Sequence, residues 1–174
     1  NVNSLGNKFL TVNELIRDKK FDALAISESR HLSSDDVGLL RSMPLGYRIF
    51  DAPRKLSNVS KLTGPPGGGV VVILIDFLKS TLIDMNFTPK TFEFLCVRIS
   101  PNMTTNINMI IMYRPGSSPV TGAFFDEFRQ LLEFLTIFRG HIIILGDVNV
   151  HLEDPHDVHT ASFMFLLSSF GFKQ

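Results

Sequence analysis

The stretch that most constrains this chain is residues 142–149, Ile-Ile-Ile-Leu-Gly-Asp-Val-Asn. Four consecutive bulky apolar residues without alternation predict a strand buried on both faces, as in the middle of a sheet covered by other layers. The apolar run stops at Gly146, and polar atoms begin at once with Asp147 and Asn149. Side chains alternate along a strand, so a carboxylate and an amide two residues apart emerge on the same side. That is a common way for a buried strand to deliver polar groups to a site. Taken alone, Gly-Asp-Val-Asn equally suits an ordinary strand end in which Asp147 bonds its own backbone as a turn residue.

The rest of the chain supplies the context. With 174 residues, 44% of them hydrophobic, it can build one sizeable core, which predicts a single domain over 1–174. Seventeen basic residues balance seventeen acidic ones, so no global basic field draws in nucleic acid. Any DNA contact must rest on local groups such as Arg30, Arg54, Lys55 and Arg114. The single Cys96 excludes an internal disulfide framework and a cysteine-based zinc site. No signal peptide precedes the Asn-x-Ser/Thr sites at Asn58, Asn86 and Asn102, so these read as chance matches and the expected location is intracellular, nucleus or cytoplasm. No apolar run approaches the ~18 residues of a membrane span, so no membrane partner is expected. The chain opens at Asn1 without a methionine and closes at Gln174 just after an apolar segment, as a piece of a longer polypeptide would.

In chain order, residues 1–5 read as the end of a strand, and Phe9, Val12, Leu15 and Ile16 recur at helical spacing over 7–20. A strand over 21–27 follows with Glu28 at its polar end, which makes the opening βαβ-like. Ser33 with Asp36 resembles a capping box at the start of a short helix through Val37, Leu39 and Leu40. A strand over 47–51 precedes a Pro- and Gly-rich loop over 52–68, whose Arg54, Lys55 and Lys61 suit phosphate contact or, more commonly, plain solvation. Strands over 69–75, 92–99 and 106–113 arrive with only loops between them, which favours an antiparallel meander. Tyr113-Arg-Pro-Gly ends the last of these, because proline cannot continue a central ladder. Phe124, Phe128, Leu131, Leu132 and Leu135 mark a long helix over 122–138 whose aromatic stripe is core. A polar loop from His151 to His159 and an amphipathic helix over 158–170 close the chain.

Polar groups thus stand at four strand ends: Asn1, Glu28, Tyr113 with Arg114, and Asp147 with Asn149. Sheet folds build active sites by converging such ends on one rim. Glu28, helped by Asn1, is an oxygen site suited to Mg²⁺ or Mn²⁺, since Mg²⁺ keeps several waters and takes only one or two carboxylates. Asp147 can orient or deprotonate a water, Asn149 can hold a phosphoryl oxygen, and Tyr113 can donate to one. Arg114 is a candidate for binding substrate. His156 and His159, three apart, compete as transition-metal ligands, but Pro155 and the loop composition favour a solvated loop.

In this order, Asn-x-Asn-Ser-Leu, Ser-Glu-Ser-x-x-Leu, Gly-Gly-Gly-Val, Tyr-Arg-Pro and Gly-Asp-x-Asn resemble the endonuclease/exonuclease/phosphatase superfamily. Within it the chain most resembles the apurinic-like endonuclease domain of LINE-type (non-LTR) retrotransposons, from Asn1 to Gln174. Gly-Asp-Val-Asn-Val-His-Leu-Glu-Asp-Pro, followed by Phe-Leu-Leu-Ser-Ser-Phe-Gly-Phe, is especially similar to those domains. The resemblance implies an α/β fold, a four-layer sandwich of two facing mixed sheets with outer helices. It matches Asn1 and Glu28 to the family's metal-site pair, Tyr113 to its phosphate-contacting tyrosine, and Asp147 with Asn149 to the pair that handles water and phosphate. The implied reaction is Mg²⁺-dependent phosphodiester hydrolysis that nicks DNA for reverse transcription, with DNA as partner and a reverse transcriptase domain in the parent polypeptide. The family's later strands and closing Ser-Asp-His have no counterpart, for no Asp-His dipeptide occurs in the chain. Impaired catalysis and an unpaired sheet edge are therefore expected. A non-catalytic remnant with weak DNA binding and a phosphatase acting on a small phosphoester are the alternative readings.

Overall fold

A computed structural model describes residues 1–53, 68–154 and 156–174. The basic loop expected over 52–68, with Arg54, Lys55 and Lys61, lies almost wholly outside the described residues, as do Asn58 and Pro155. Along the chain run α1 (Phe9–Lys19), β1 (Ala23–Ser27), α2 (Val37–Ser42), β2 (Tyr47–Ala52), β3 (Val70–Ile75), β4 (Lys79–Leu82), β5 (Glu93–Ser100), β6 (Ile107–Tyr113), α3 (Gly122–Leu135), β7 (His141–Asp147) and α4 (Val158–Ser169).

The layers follow from how the strands divide their two faces. On β3, Val70, Val72 and Leu74 join Leu95, Val97 and Ile99 of β5 and Met109, Ile111 and Tyr113 of β6 in one apolar cluster. Val71 and Ile73 point the other way, onto Val12 and Ile16 of α1 and Leu39 of α2. On the far side, Cys96, Ile110 and Met112 meet Phe124, Phe128, Leu131, Leu132 and Leu135 of α3 and Phe163 and Leu166 of α4. Burying each large side chain of this kind is worth roughly 1.5–3 kcal/mol. The result is four layers, two helices, two sheets face to face, and two helices, an α/β sandwich as expected.

The first sheet has strand order β1-β3-β2 and is antiparallel throughout. The second has order β4-β5-β6-β7, antiparallel as far as β6 and parallel between β6 and β7. A parallel pair needs a long crossover, and α3 provides it. Among the described residues the second sheet is mixed and the first antiparallel, since β3 enters between β1 and β2 and runs opposite to both.

Several local readings change for physical reasons. β7 is an edge strand of its sheet, not a central one, and Ile143 and Leu145 are 39% and 38% exposed. Its alternate residues Ile142 and Ile144 still pack on the α3 and α4 cluster, so one face of the apolar run is covered while Ile143 and Leu145 on the other stay exposed. Among the described residues, that edge has no strand beside it. Strand β3 belongs to the other sheet, so the meander is β4-β5-β6; β4, four mostly exposed residues, carries too little apolar pattern to be read from sequence. Residues 1–5 form no strand, and β1 pairs antiparallel with β3, so the opening is not a βαβ unit. The cap of α2 is Asp36 itself, whose Oδ1 accepts from the amides of Gly38 at 2.8 Å and Leu39 at 3.2 Å. Among the described residues, no helix is long and apolar enough to cross a membrane.

Candidate active site

Strand register decides what gathers at one rim. Tyr113, the last residue of β6, is paired with Glu93 at the start of β5 and with Asp147 at the end of β7. In the facing sheet β1 ends at Ser27, paired with Val70, and Glu28 is the next residue. The amides of Val2, Ser4 and Leu5 donate to the carbonyls of Ser27 (3.2 Å), Glu28 (3.0 Å) and Ser29 (2.8 Å), which lays the first residues along the end of β1. Asn1 then bridges the two sheets, its Nδ2 donating to Asp147 Oδ2 at 3.2 Å.

Glu28 is the hub of this rim. Its Oε1 accepts from Arg30 Nη2 at 3.1 Å, and Asn1 and Tyr113 stand near enough to act on the carboxylate's pKa. Burial works to raise its pKa, but the Arg30 hydrogen bond, the Asn1 hydrogen bond, the Arg30 charge and the Tyr113 hydroxyl together hold it below the usual value. Tyr113 is pushed up, first by burial and then by the charges of Glu28, Asp147 and Glu93 and its hydrogen bond to Glu28, so its hydroxyl stays a donor.

Asp147 is fixed from two sides, since Oδ1 accepts from the amide of Asn149 at 3.0 Å while Oδ2 accepts from Asn1. Asn149 adopts a left-handed backbone, φ 48°, and its Nδ2 donates to the carbonyl of Arg114 at 2.7 Å. An amide nitrogen has two hydrogens, and this bond uses one. Two glycines make the arrangement possible. A Cβ on Gly146, φ 135°, would overlap the carbonyl oxygen of Met112, and one on Gly116 would stand 2.7 Å from Asn149 Oδ1. Asn1, Glu28, Tyr113, Asp147 and Asn149 are thus brought together on one rim.

Arg114 is not brought there as a free cation, which corrects its expected role in binding substrate. Its side chain is directed at the carbonyls of Val148 (2.6 Å), Ser118 (2.6 Å), Asn149 (2.5 Å) and Pro115 (3.3 Å) and lies over the Phe124 ring at 5.7 Å. It is 3% exposed, and burial lowers its pKa against the pull of Asp147 and Tyr113. Arg114 clamps the loop that carries Asn149.

A group not foreseen in the sequence stands behind Glu28. His31, 2% exposed, bonds Ser29 Oγ through Nδ1 at 2.7 Å and Asp51 Oδ2 through Nε2 at 3.0 Å, and Ser34 Oγ donates to the same Asp51 oxygen at 2.9 Å. Ser29 and Arg30 donate their amides to the carbonyls of Gly69 (3.2 Å) and Gly68 (2.7 Å). The turn bearing Glu28 is thereby held from below. The Ser-x-His spacing was the available signal, but the carboxylate that completes the group lies twenty residues further on. The histidine loop remains a loop, in which His151 pairs with Glu153 at 2.9 Å and Asp157 caps α4.

The donors suit a hard cation. Glu28, Asn1 and Asp147 offer oxygen only, and among the described residues no three His, Cys, Asp or Glu side chains gather as a metal cage. A cation, the Arg30 guanidinium, already sits against Glu28.

The chain is similar in fold to an AP endonuclease from Archaeoglobus fulgidus, with TM-score 0.62, 17% identity, and coverage of 97% of this chain and 68% of that one. It is similar to the human nocturnin catalytic domain with bound sulfate anion, at TM-score 0.59 and 17% identity, covering 94% and 63%. It is also similar to D. rerio TDP2 complexed with single strand DNA product, at TM-score 0.58 and 13% identity, covering 97% and 59%. The chain thus spans roughly two thirds or less of the length of these structures, and at such identities the likeness is one of fold. No curated protein matches the sequence. A model of the Endonuclease/Exonuclease/phosphatase family, however, matches residues 1–172, nearly the whole chain. With the four-layer sandwich and the rim of polar strand ends, that match establishes that the chain belongs to the endonuclease/exonuclease/phosphatase family.

Proposed function

We propose that this chain is a metal-dependent phosphodiesterase domain that nicks DNA, of the type carried by LINE-type retrotransposons. The observation that carries the hydrolytic reading is the meeting of Glu28, Asn1, Tyr113, Asp147 and Asn149 across two sheets. Glu28 and Asn1 would hold Mg²⁺ or Mn²⁺, which when bound offsets charge developing on the phosphate. Tyr113 would turn its one O–H from Glu28 to a phosphoryl oxygen, and Asn149 would donate its second N–H to one. Asp147, oriented by two hydrogen bonds, takes the attacking water and its proton. The retrotransposon reading rests on the order and wording of the sequence motifs, and a reverse transcriptase in the parent polypeptide would use the nick.

The choice of DNA over a small phosphoester rests on the same motifs, since the cavity of about 1000 Å³ lined among others by Phe87, Phe92, Glu93, Phe94 and Arg114 has none of the five rim residues in its wall. Activity is expected to be low. No Asp-His dipeptide occurs in the sequence, and a positioned acid–base group contributes about 10²- to 10⁴-fold.

The test is supercoiled-plasmid nicking with Mg²⁺. The Glu28→Ala and Asp147→Ala variants are expected to lose at least about 10²-fold of the measured rate. Nicking unchanged in both variants would overturn the reading. Phosphate release from p-nitrophenyl phosphate without nicking would replace it with the phosphatase alternative, and salt-sensitive DNA binding without hydrolysis would replace it with the remnant.

A further inference from the structure

The Glu28 to Arg30 turn holds more than a metal ligand. Glu28 and Arg30 both sit in the left-handed region, φ 58° and 55°, which disfavours residues with a Cβ. Strain of this kind persists only where the surroundings enforce it, and here the amides of Ser29 and Arg30 are tied to Gly69 and Gly68 while His31 is locked onto Ser29 and Asp51. What the enforced turn achieves is to fold the Arg30 side chain back onto the carboxylate two residues before it, at 3.1 Å.

The pair is neither fully sealed nor satisfied. The Glu28 and Arg30 side chains are 16% and 27% exposed, and Arg30 Nε is buried with no hydrogen-bond partner among the described residues. A guanidinium offers five donors in a rigid fork, suited to engaging two oxygens of one anion, whereas here only Nη2 has a described bond. A buried donor without a partner is destabilising, so this is a poor final position for the group. It is a good provisional one, because the guanidinium supplies Glu28 with positive charge where a metal ion would otherwise supply it.

We propose that Arg30 is an exchangeable counter-ion. It neutralises Glu28 while the metal is absent, and it transfers to a phosphate of the DNA substrate when a divalent cation takes over the carboxylate. This rests on the metal reading of Glu28 given above. Glu28 keeps a cationic partner in both arrangements, the monovalent guanidinium giving way to the divalent ion and moving beside an incoming anion, whose charge the ion's extra positive charge also favours. Metal and DNA are then linked through one side chain, and by linkage each strengthens binding of the other.

The proposal makes predictions of opposite sign for one substitution. In Arg30→Gln the cation competing for Glu28 is gone, so Mn²⁺ followed by calorimetry should bind several-fold tighter than in the wild type. Affinity for a phosphorothioate duplex, which keeps the charge and slows cleavage, should fall in the presence of Mn²⁺. Its salt slope should flatten by about 0.9, the share of one phosphate contact. A merely structural role for Arg30 would weaken both ligands together, and that result would overturn the proposal. Arg30→Gly removes the side chain at a position whose backbone suits glycine, so it should repeat the split should Arg30→Gln fold poorly. Arg30→Lys, which keeps the charge, should return both affinities toward the wild type. Glu28→Gln serves as the separate check: if it binds Mn²⁺ as the wild type does, the metal reading falls and the exchange with it. If Glu28→Gln loses Mn²⁺ while neither Arg30→Gln nor Arg30→Gly tightens it, the metal reading stands and the exchange alone is wrong.

Discussion

Arg114 shows how a residue can stand in the right motif and do a different job. Its donors go to the carbonyls of Val148, Ser118, Asn149 and Pro115, so removing the side chain takes these loop carbonyls' charged partner away rather than freeing a phosphate site. Arg114→Ala is expected to lower stability by roughly 3 kcal/mol, read as a shift in the urea midpoint, since hydrogen bonds to charged groups are each worth about 1.5–3 kcal/mol. Lysine cannot reproduce the fork, so Arg114→Lys should recover only part of the loss. Unchanged stability with weakened DNA binding would restore the substrate role. Asp51 carries a second expectation at this scale. The His31 hydrogen bond lowers its pKa, burial opposes this, and Ser34 and the His31 charge assist it. A carboxylate whose folded pKa lies below its unfolded value, about 3.9 for Asp, stabilises the fold above that pH and loses the contribution as pH falls through the folded pKa. Stability should therefore drop on acidification below about pH 4 in the wild type, and less steeply in Asp51→Asn, when thermal midpoints are compared across pH. Of the candidate site, Glu28, Tyr113, Asp147 and Asn149 could be picked out because each ends or follows an apolar run, and Asn1 only by its place in the order of motifs. The pairing of Arg30 with Glu28 and the whole His31 group could not, because they depend on a left-handed turn and on Asp51 from another strand.

At the scale of elements, legibility follows apolar pattern. β3, β5, β6 and α3 bury whole faces, so period and length were enough to find them. The number of neighbours a strand has is not written in its period, which is why β7 read as central although it lies at an edge. Nor does the period say which sheet a strand joins, which is how β3 was placed with β5 and β6. β7 depends on one residue more than any other. Gly146 combines φ 135° with the closest backbone approach of any glycine described, against Met112. Gly146→Ala is expected to destabilise by about 2–4 kcal/mol, through strain and loss of the β6 pairing, as measured by chemical denaturation. A variant as stable as the wild type would mean that β7 can shift along β6 without penalty.

For the whole molecule, the division of labour between chain halves matters most. Residues up to Ile75 build α1, α2 and the first sheet, and residues from Lys79 build the second sheet with α3 and α4. They meet through one apolar layer in which Val70, Val72 and Leu74 face Leu95, Val97 and Ile111. Glu28 and Asn1 come from the first half, Tyr113, Asp147 and Asn149 from the second, and the Asn1 to Asp147 hydrogen bond spans 146 residues of sequence. The connection between halves passes through Phe77, which is 75% exposed. A chain of this layout lends itself to fragment complementation. Cut at Phe77 and co-expressed, the two pieces should co-purify by reburying their shared layer, and separately each should carry only one wall of the candidate site. If the proposed activity holds, hydrolysis would report the meeting of two polypeptides, so that the fold, once divided, would act as a proximity sensor whose signal is a cut phosphodiester.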